Sequence, residues 1–243
     1  MKRVLILGAT SDMAQAMARK FATEGWSLDL AARDGAVLES IAGDLRVRSK
    51  AVVETMSFDA LAFSDHRAFY EGLEKKPDVV ICVFGYMGDQ RKARTDFEEV
   101  RRTIDVNYTG AVSILNIIAE DFEKRGSGVI VGISSVAGDR GRQSNYIYGS
   151  AKAAFTAYLS GLRNRLLGAG VHVMTVKPGF CRTKMTENLD LPDALTAAPD
   201  EVAEAVFRGI QKRRNVLYVR GIWQWIMWVI RCVPEAIFKR LSM

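Results

Sequence analysis

Short apolar runs of strand length recur along this chain with helix-period segments between them, and that alternation limits the folds open to it. The runs are 3–8, Leu28–Ala32, Ala51–Thr55, Val79–Val83, Val129–Ser134, Val171–Val176 and Val216–Val219. Each is too short for a buried helix and most are rich in Val and Ile, so they read as strands. Apolar strands alternating with helices argue for a parallel sheet covered on both faces. The expected product is α/β: one doubly wound parallel sheet of about seven strands, a size that 243 residues fill without a second domain.

The first run ends in Gly8, is followed by Ala9-Thr10-Ser11-Asp12, and leads into the helix-like stretch Met13 to Glu24. Strand, tight turn and helix place free N–H groups and the positive end of a helix dipole where an anion can sit. In a Rossmann-like sheet that anion is a dinucleotide pyrophosphate. On its glycines alone this motif is weak.

Tyr148 and Lys152 stand four residues apart, thirteen after Ser135 and forty-one after Asn107 for the tyrosine. On a helix, residues i and i+4 share a face, so the two side chains point the same way. A phenol titrates near 10 and exchanges protons poorly at neutral pH; a nearby ammonium favours the phenolate and brings it towards the working range. Ser135 follows a strand end and is placed to hydrogen-bond a substrate oxygen. The bland alternative makes Tyr148 a packed helix residue and Lys152 a solvated one.

In this order and spacing, Asn107, Ser135, Tyr148 and Lys152 resemble the catalytic tetrad of the short-chain dehydrogenase/reductase family. The resemblance covers nearly the whole chain. It implies transfer of hydride between a nicotinamide cofactor and a ketone, with Tyr148 as acid/base and Ser135 polarising the carbonyl. It further implies that Lys152 tunes the tyrosine and binds the ribose, and that Asn107 bends its helix and holds a water that relays protons. Gly8, Thr10, Ser11, Asp12 and Met13 are expected at the pyrophosphate, Asp59 at the adenine and Gly85 beside the cofactor. Pro178, Gly179 and Thr183 are expected near the nicotinamide, together with Tyr148 and Lys152. Residues 183–199 match the segment that closes over substrate, and their Met185, Leu189, Leu191 and Leu195 hint at an apolar substrate portion. Family members are usually homodimers or homotetramers.

Two motifs depart from the family. Most members read Thr-Gly-x-x-x-Gly-x-Gly, where this chain has Leu7, Gly8, Asp12 and Ala14 in the four slots. A carboxylate near the pyrophosphate should repel it, so Asp12 is expected to cap the helix N-terminus instead. After the fourth strand, Asn-Asn-Ala-Gly is replaced by Cys82-Val83-Phe84-Gly85. Together with 144–152 and Lys177-Pro178-Gly179-Phe180-Cys181-Arg182-Thr183, these segments resemble the decaprenylphosphoryl 2-keto-ribose reductases. That branch implies a 2-keto pentose on a polyprenyl phosphate as substrate and a separate oxidase as partner. The alternatives are a 3-oxoacyl-thioester or other lipid-ketone reductase, and, in a different class, a nucleotide-sensing binding protein without catalysis.

Cofactor choice rests on the end of the second strand, Leu30-Ala31-Ala32-Arg33-Asp34. An arginine there accommodates the 2′-phosphate of NADP, whereas a carboxylate binds the 2′-hydroxyl of NAD. Arg33 favours NADP(H); Asp34 and the branch resemblance keep NAD(H) open.

Charge is distributed unevenly. Residues 1–207 carry 26 Lys or Arg against 27 Asp or Glu, while residues 208–243 carry eight against Glu235 alone. Within this basic segment lies 222–233, apolar and holding three of the four tryptophans. As a helix it is about 18 Å long, too short for a hydrocarbon core of about 30 Å. Arg220, Gln224 and Arg231 share one wedge of the helical wheel, which suits either a helix lying in a membrane interface or one buried against the body or a second subunit. The division expected is therefore a catalytic domain, 1–219, and a helical tail, 220–243. The tail shows no recognised nucleic-acid motif, and no such partner is expected. Met1-Lys-Arg precedes a first strand, not a signal peptide, and Cys82, Cys181 and Cys232 have no metal spacing. His66 and His172 read as structural, no metal site is expected, and the expected setting is cytoplasmic, at the inner face of the membrane.

Overall fold

The computed structural model describes residues 2–187 and 190–241. Seven parallel strands form the central sheet: β1 (Arg3–Leu7), β2 (Ser27–Ala32), β3 (Val53–Ser57), β4 (Val79–Cys82), β5 (Val129–Ile133), β6 (His172–Lys177) and β9 (Val216–Tyr218). Their order is β3-β2-β1-β4-β5-β6-β9. The chain reverses its direction of travel between β1 and β4, and the crevice outside the strand ends at such a switch point is where ligands bind in open α/β sheets.

All seven expected strands are present. The third begins two residues later than its apolar run, because Ala51 belongs to the turn after helix α2 (Gly35–Ser49), whose C-cap Lys50 is left-handed at φ 54°. Helices α1 (Asp12–Thr23), α2 and α7 (Pro199–Gln211) enclose the core on one face. Helices α3 (His66–Glu71), α5 (Gly110–Arg125) and α6 (Tyr146–Leu166) enclose it on the other. Strands β1 and β2 are buried along their full length, as burial on both faces requires.

Between α4 (Phe97–Ile104) and α5 the chain makes a π-helical turn, Asp105–Thr109. Such turns widen a helix by one residue and redirect the side chains on it. A two-stranded pair, β7 (Phe180–Cys181) with β8 (Thr196–Ala197), brackets the segment between them. The tail forms α8 (Ile222–Cys232) and α9 (Glu235–Phe238). Among the described residues, no helix is long and apolar enough to cross a membrane.

Candidate active site

Strands β1 and β4 open onto a cleft of about 890 Å³. At its floor Gly8 adopts φ +93°, and a Cβ there would lie 2.6 Å from the Phe84 nitrogen, so only glycine fits between the two strand ends. Ser11 caps α1, its Oγ accepting from the Ala14 N–H at 3.3 Å. Thr10, Ser11, Asp12 and Met13 line the cleft at this helix N-terminus, where the dipole favours anions. Asp12 is therefore not the cap. Its Oδ2 accepts from the Lys184 backbone N–H at 2.7 Å, which directs the carboxylate to the segment beyond β7.

Arg33 and Asp34 both line the cleft, and their roles separate. Asp34 caps α2, its Oδ1 accepting from the Val37 N–H at 3.0 Å. Arg33 is exposed and makes no ion pair among the described residues, so its guanidinium is available to an anion. Asp59, Gly85 and Thr183 also line the cleft. Pro178 and Gly179, expected there, are outside its lining. The Pro178 carbonyl accepts from Val136 N–H at 3.0 Å, and a Cβ on Gly179 would lie 2.0 Å from the Trp223 ring. Gly179 is small to admit that indole.

Of the four tetrad positions, Tyr148 and Lys152 line the inner end of the cleft, while Ser135 and Asn107 lie next to them but outside its lining. Tyr148 and Lys152 lie on α6 and both line the cleft, with Lys152 Nζ 5.8 Å from the tyrosine ring centroid. Lys152 is only 4% exposed, against the solvated reading, and its Nζ donates to the Ile133 carbonyl at 3.1 Å. A Cβ on Gly85 would lie 3.0 Å from Asn107 Oδ1 and 3.5 Å from Lys152 Nζ, so this glycine sits directly against both polar groups. Asn107 sits in the π-helical turn. Its Nδ2 donates to the Tyr86 and Thr103 carbonyls at 2.6 and 2.8 Å, and its Oδ1 accepts from Tyr86 N–H at 3.2 Å. Both amide hydrogens are thus engaged, which fixes the Asn107 side chain against the Phe84–Tyr86 loop and α4.

Ser135 leaves β5 in extended backbone and caps a turn, Val136–Gly138, its Oγ accepting from Ala137 N–H at 3.1 Å. Lys177, buried at the end of β6, forms an ion pair with Asp139 just beyond that turn. The second Asp139 oxygen accepts from the Tyr218 hydroxyl at 2.8 Å, tying the Ser135 turn to β6 and β9. Sequence reading missed this cluster; its one signal is a lysine ending an otherwise apolar strand.

Electrostatics differ from expectation. Burial pushes the Tyr148 phenol up to about 12, outweighing its hydrogen bond with Ser135, which acts the other way. Burial also brings the Lys152 ammonium down to about 8, with Cys82 opposing. The lysine does not lower the tyrosine here, because enclosure of the phenol dominates. Sequence reading also passed over Tyr86, Arg102 and Lys184, which line the cleft. Arg102 stacks on the Tyr86 ring at 4.5 Å, and the Tyr86 hydroxyl donates to Glu99 at 2.8 Å. Neither histidine lines the cleft: His66 bonds Ser113 and the Asp59 carbonyl, and His172 bonds the Arg214 carbonyl at 3.1 Å.

A sequence model described as short chain dehydrogenase matches residues 2–193. The chain belongs to the short-chain dehydrogenase family. Membership makes it an NAD(P)-dependent oxidoreductase. It is 36% identical over 243 residues to an uncharacterized oxidoreductase of Streptomyces coelicolor, covering 99% of this chain and 96% of that one. It is 33% identical to an uncharacterized oxidoreductase of Mycobacterium tuberculosis, covering 98% and 96%. A short-chain dehydrogenase from Sphingobium yanoikuyae, solved in complex with NADPH, superposes with a TM-score of 0.82 at 26% identity, covering 97% of this chain and 98% of that one.

The residues of this dehydrogenase fit a dinucleotide. The cleft volume falls in the range of ligand sites. The N–H groups of Thr10, Asp12 and Met13 take no protein acceptor among the described residues, and Gly85 keeps the wall beside Lys152 free of a side chain.

Proposed function

We propose that this enzyme reduces a ketone to a secondary alcohol with NADPH, and that its substrate is a keto sugar carried on a polyprenyl phosphate. The observation that supports the chemistry is that Tyr148 and Lys152 line one end of the cleft, with Ser135 against the tyrosine and Asn107 and Lys152 both against Gly85. A nicotinamide dinucleotide held by the Gly8–Met13 turn, Arg33 and Lys152 would supply the hydride to the carbonyl carbon. The Ser135 hydroxyl donates a hydrogen bond to the carbonyl oxygen and orients it. Tyr148, held above its ordinary range, stays protonated at neutral pH and delivers its proton to that oxygen as negative charge develops. Lys152 stays charged below about pH 8 and favours the phenolate that remains. A water held by Asn107 would relay a proton from solvent to Lys152 and so to the tyrosine.

NADPH is favoured over NADH because Arg33 is uncommitted while Asp34 is spent on the α2 cap. The NADPH complex of the Sphingobium relative supports the same choice. The keto-sugar reading draws on the resemblance at Asp12, Phe84-Gly85 and 177–183, and on an aromatic, basic tail suited to a lipid-linked substrate. On this reading the protein works as a homo-oligomer in the cytoplasm, peripheral to the membrane, and receives its ketone from a partner oxidase. Residues 1–219 form the catalytic domain, with 183–199 closing over substrate, and 220–243 form the tail. Leu189 lies outside the described residues, as does the side chain of Met185.

The deciding assay follows NADPH and NADH oxidation with a short-chain polyprenyl-phosphoryl 2-keto-pentose beside an acetoacetyl thioester. Turnover of the keto sugar supports the substrate class. Turnover of the thioester alone replaces it with acyl chemistry.

A further inference from the structure

Helix α8 is apolar on two opposite faces, and only one of them is covered. Trp223 and Met227 are buried, packing with Val136, Phe180, Leu195 and Tyr218. On the far side, Trp225 is 70% exposed and Trp228 61%, with Ile222 and Val229 also more than half exposed. The two outer indoles meet edge to face, their centroids 6.4 Å apart. At about 100° per residue, Ile222, Trp225, Trp228, Val229 and Cys232 fill one continuous outer stripe, opposite the buried Trp223. A stripe of that kind on a folded surface marks a contact site.

Charge indicates what covers it. Glu235 is the one acid after residue 220, and Arg140 from the body engages it, also donating to the Ile230 and Val233 carbonyls and stacking on Phe238. Arg220 is taken up by Glu201. Arg231, Lys239 and Arg240 are exposed, with no carboxylate partner among the described residues. Arg231 lies on the same helix about 60° around from Trp228. A second copy docking by this stripe about a two-fold axis would bring cations against cations. A surface of anionic headgroups meets both features, with tryptophan at the polar–apolar boundary and cations at the phosphates.

We infer that the outer face of α8, with Arg231 on the same helix and Lys239 and Arg240 following it in the chain, docks on an anionic lipid surface. The same helix holds the segment that leaves the cleft at Thr183 and Lys184. Trp223 Nε1 donates to the Leu195 carbonyl at 3.0 Å, and Arg220 donates to the carbonyls of Asp193 and Ala194. Residues 193–195 therefore pack on the face of α8 opposite the docking stripe, which ties the docked helix to the segment beyond β7. The inference is independent of the keto-sugar reading, since it concerns where the enzyme sits and not which ketone it reduces.

The test is flotation of the full-length protein with phosphatidylglycerol vesicles and with phosphatidylcholine vesicles, alongside sedimentation without lipid. The expected result is flotation with phosphatidylglycerol alone, at least tenfold weaker in Trp225→Ser/Trp228→Ser and in Arg231→Glu/Lys239→Glu/Arg240→Glu. Circular dichroism and the rate with a small water-soluble ketone are expected to be unchanged in both. Wild-type protein that does not float, or variants that float equally well, would overturn the proposal. So would dissociation of an oligomer in the tryptophan variant without any vesicle binding, which would assign the face to a second copy.

Discussion

Asp12 and Lys184 are joined across 172 residues by one hydrogen bond, the carboxylate Oδ2 accepting the Lys184 backbone N–H at 2.7 Å. The bond fastens the start of α1, where the dinucleotide phosphates are expected, to the segment leading away from β7. A residue with the wrong charge for a phosphate site is thereby given a structural task. Asp12→Asn keeps an acceptor and removes the charge, whereas Asp12→Ala removes both. Asp12→Asn should bind NADPH more tightly than wild type. Asp12→Ala should lose turnover about fivefold, the equivalent of ~1 kcal/mol for a part-exposed hydrogen bond to a charged group. Fluorescence titration of NADPH and amide exchange at Lys184 separate the two effects.

Tyr148→Phe removes the hydroxyl and leaves the ring that packs beside Lys152. Ketone reduction should fall by about 10²–10⁴, the usual worth of a positioned general acid. NADPH affinity should change little. Undiminished turnover would remove Tyr148 from the mechanism.

The pH profile follows from Lys152, whose ammonium burial brings down to about 8. Below that value the lysine is charged and can favour the phenolate; above it the charge is lost. Tyr148, near 12, remains a donor throughout. Ketone reduction should therefore decline as pH rises through about 8, and Lys152→Met should abolish that limb along with most activity. The stability sign runs in the same residue. A lysine whose folded value lies below its unfolded one costs the fold its charge, a cost present below about pH 8 and relieved as pH rises towards 10.5. Lys152→Met should accordingly raise the melting temperature at neutral pH, by no more than the ~3 kcal/mol that such a shift represents.

Arg33→Ala tests cofactor choice. With Asp34 committed to the α2 cap, the loss should fall on NADPH alone and raise its KM about tenfold or more, the worth of one charge-assisted hydrogen bond. The KM for NADH should hardly move. Equal effects on both cofactors would place the 2′-phosphate elsewhere.

Gly179→Ala probes the seat of the tail. Its new Cβ would lie 2.0–2.5 Å from atoms of the Trp223 indole. Overpacking of this kind costs about 1–3 kcal/mol. The melting temperature should drop, with near-ultraviolet dichroism reporting displacement of Trp223.

Local periodicity was enough to find all seven strands: the inner ones are apolar because both faces are buried, and the partly exposed edge strands β3 and β9 still carry β-branched Val53, Thr55 and Val216. The largest displacement, two residues at β3, turned on the left-handed Lys50, a conformation that carries no sequence signature in a lysine. Tyr148 and Lys152 were legible as a pair because helical geometry alone puts them on one face. Ser11 rather than Asp12 caps α1, although both residue types cap helices, and only the backbone geometry of the turn separates them.

The amino-acid sequence by itself determined the alternation of strands and helices, the face shared by Tyr148 and Lys152, and the basic, tryptophan-rich character of the tail. These depend on neighbours within a few residues, where covalent geometry sets the spacing. Tertiary structure alone decided that Asp12 reaches Lys184, that Gly179 makes room for Trp223, and that Asp139 is held by Lys177 and Tyr218. It alone decided that burial outweighs the Ser135 hydrogen bond in setting the state of Tyr148. Each of these depends on groups brought together from distant segments, and on how completely the packed chain excludes water from them.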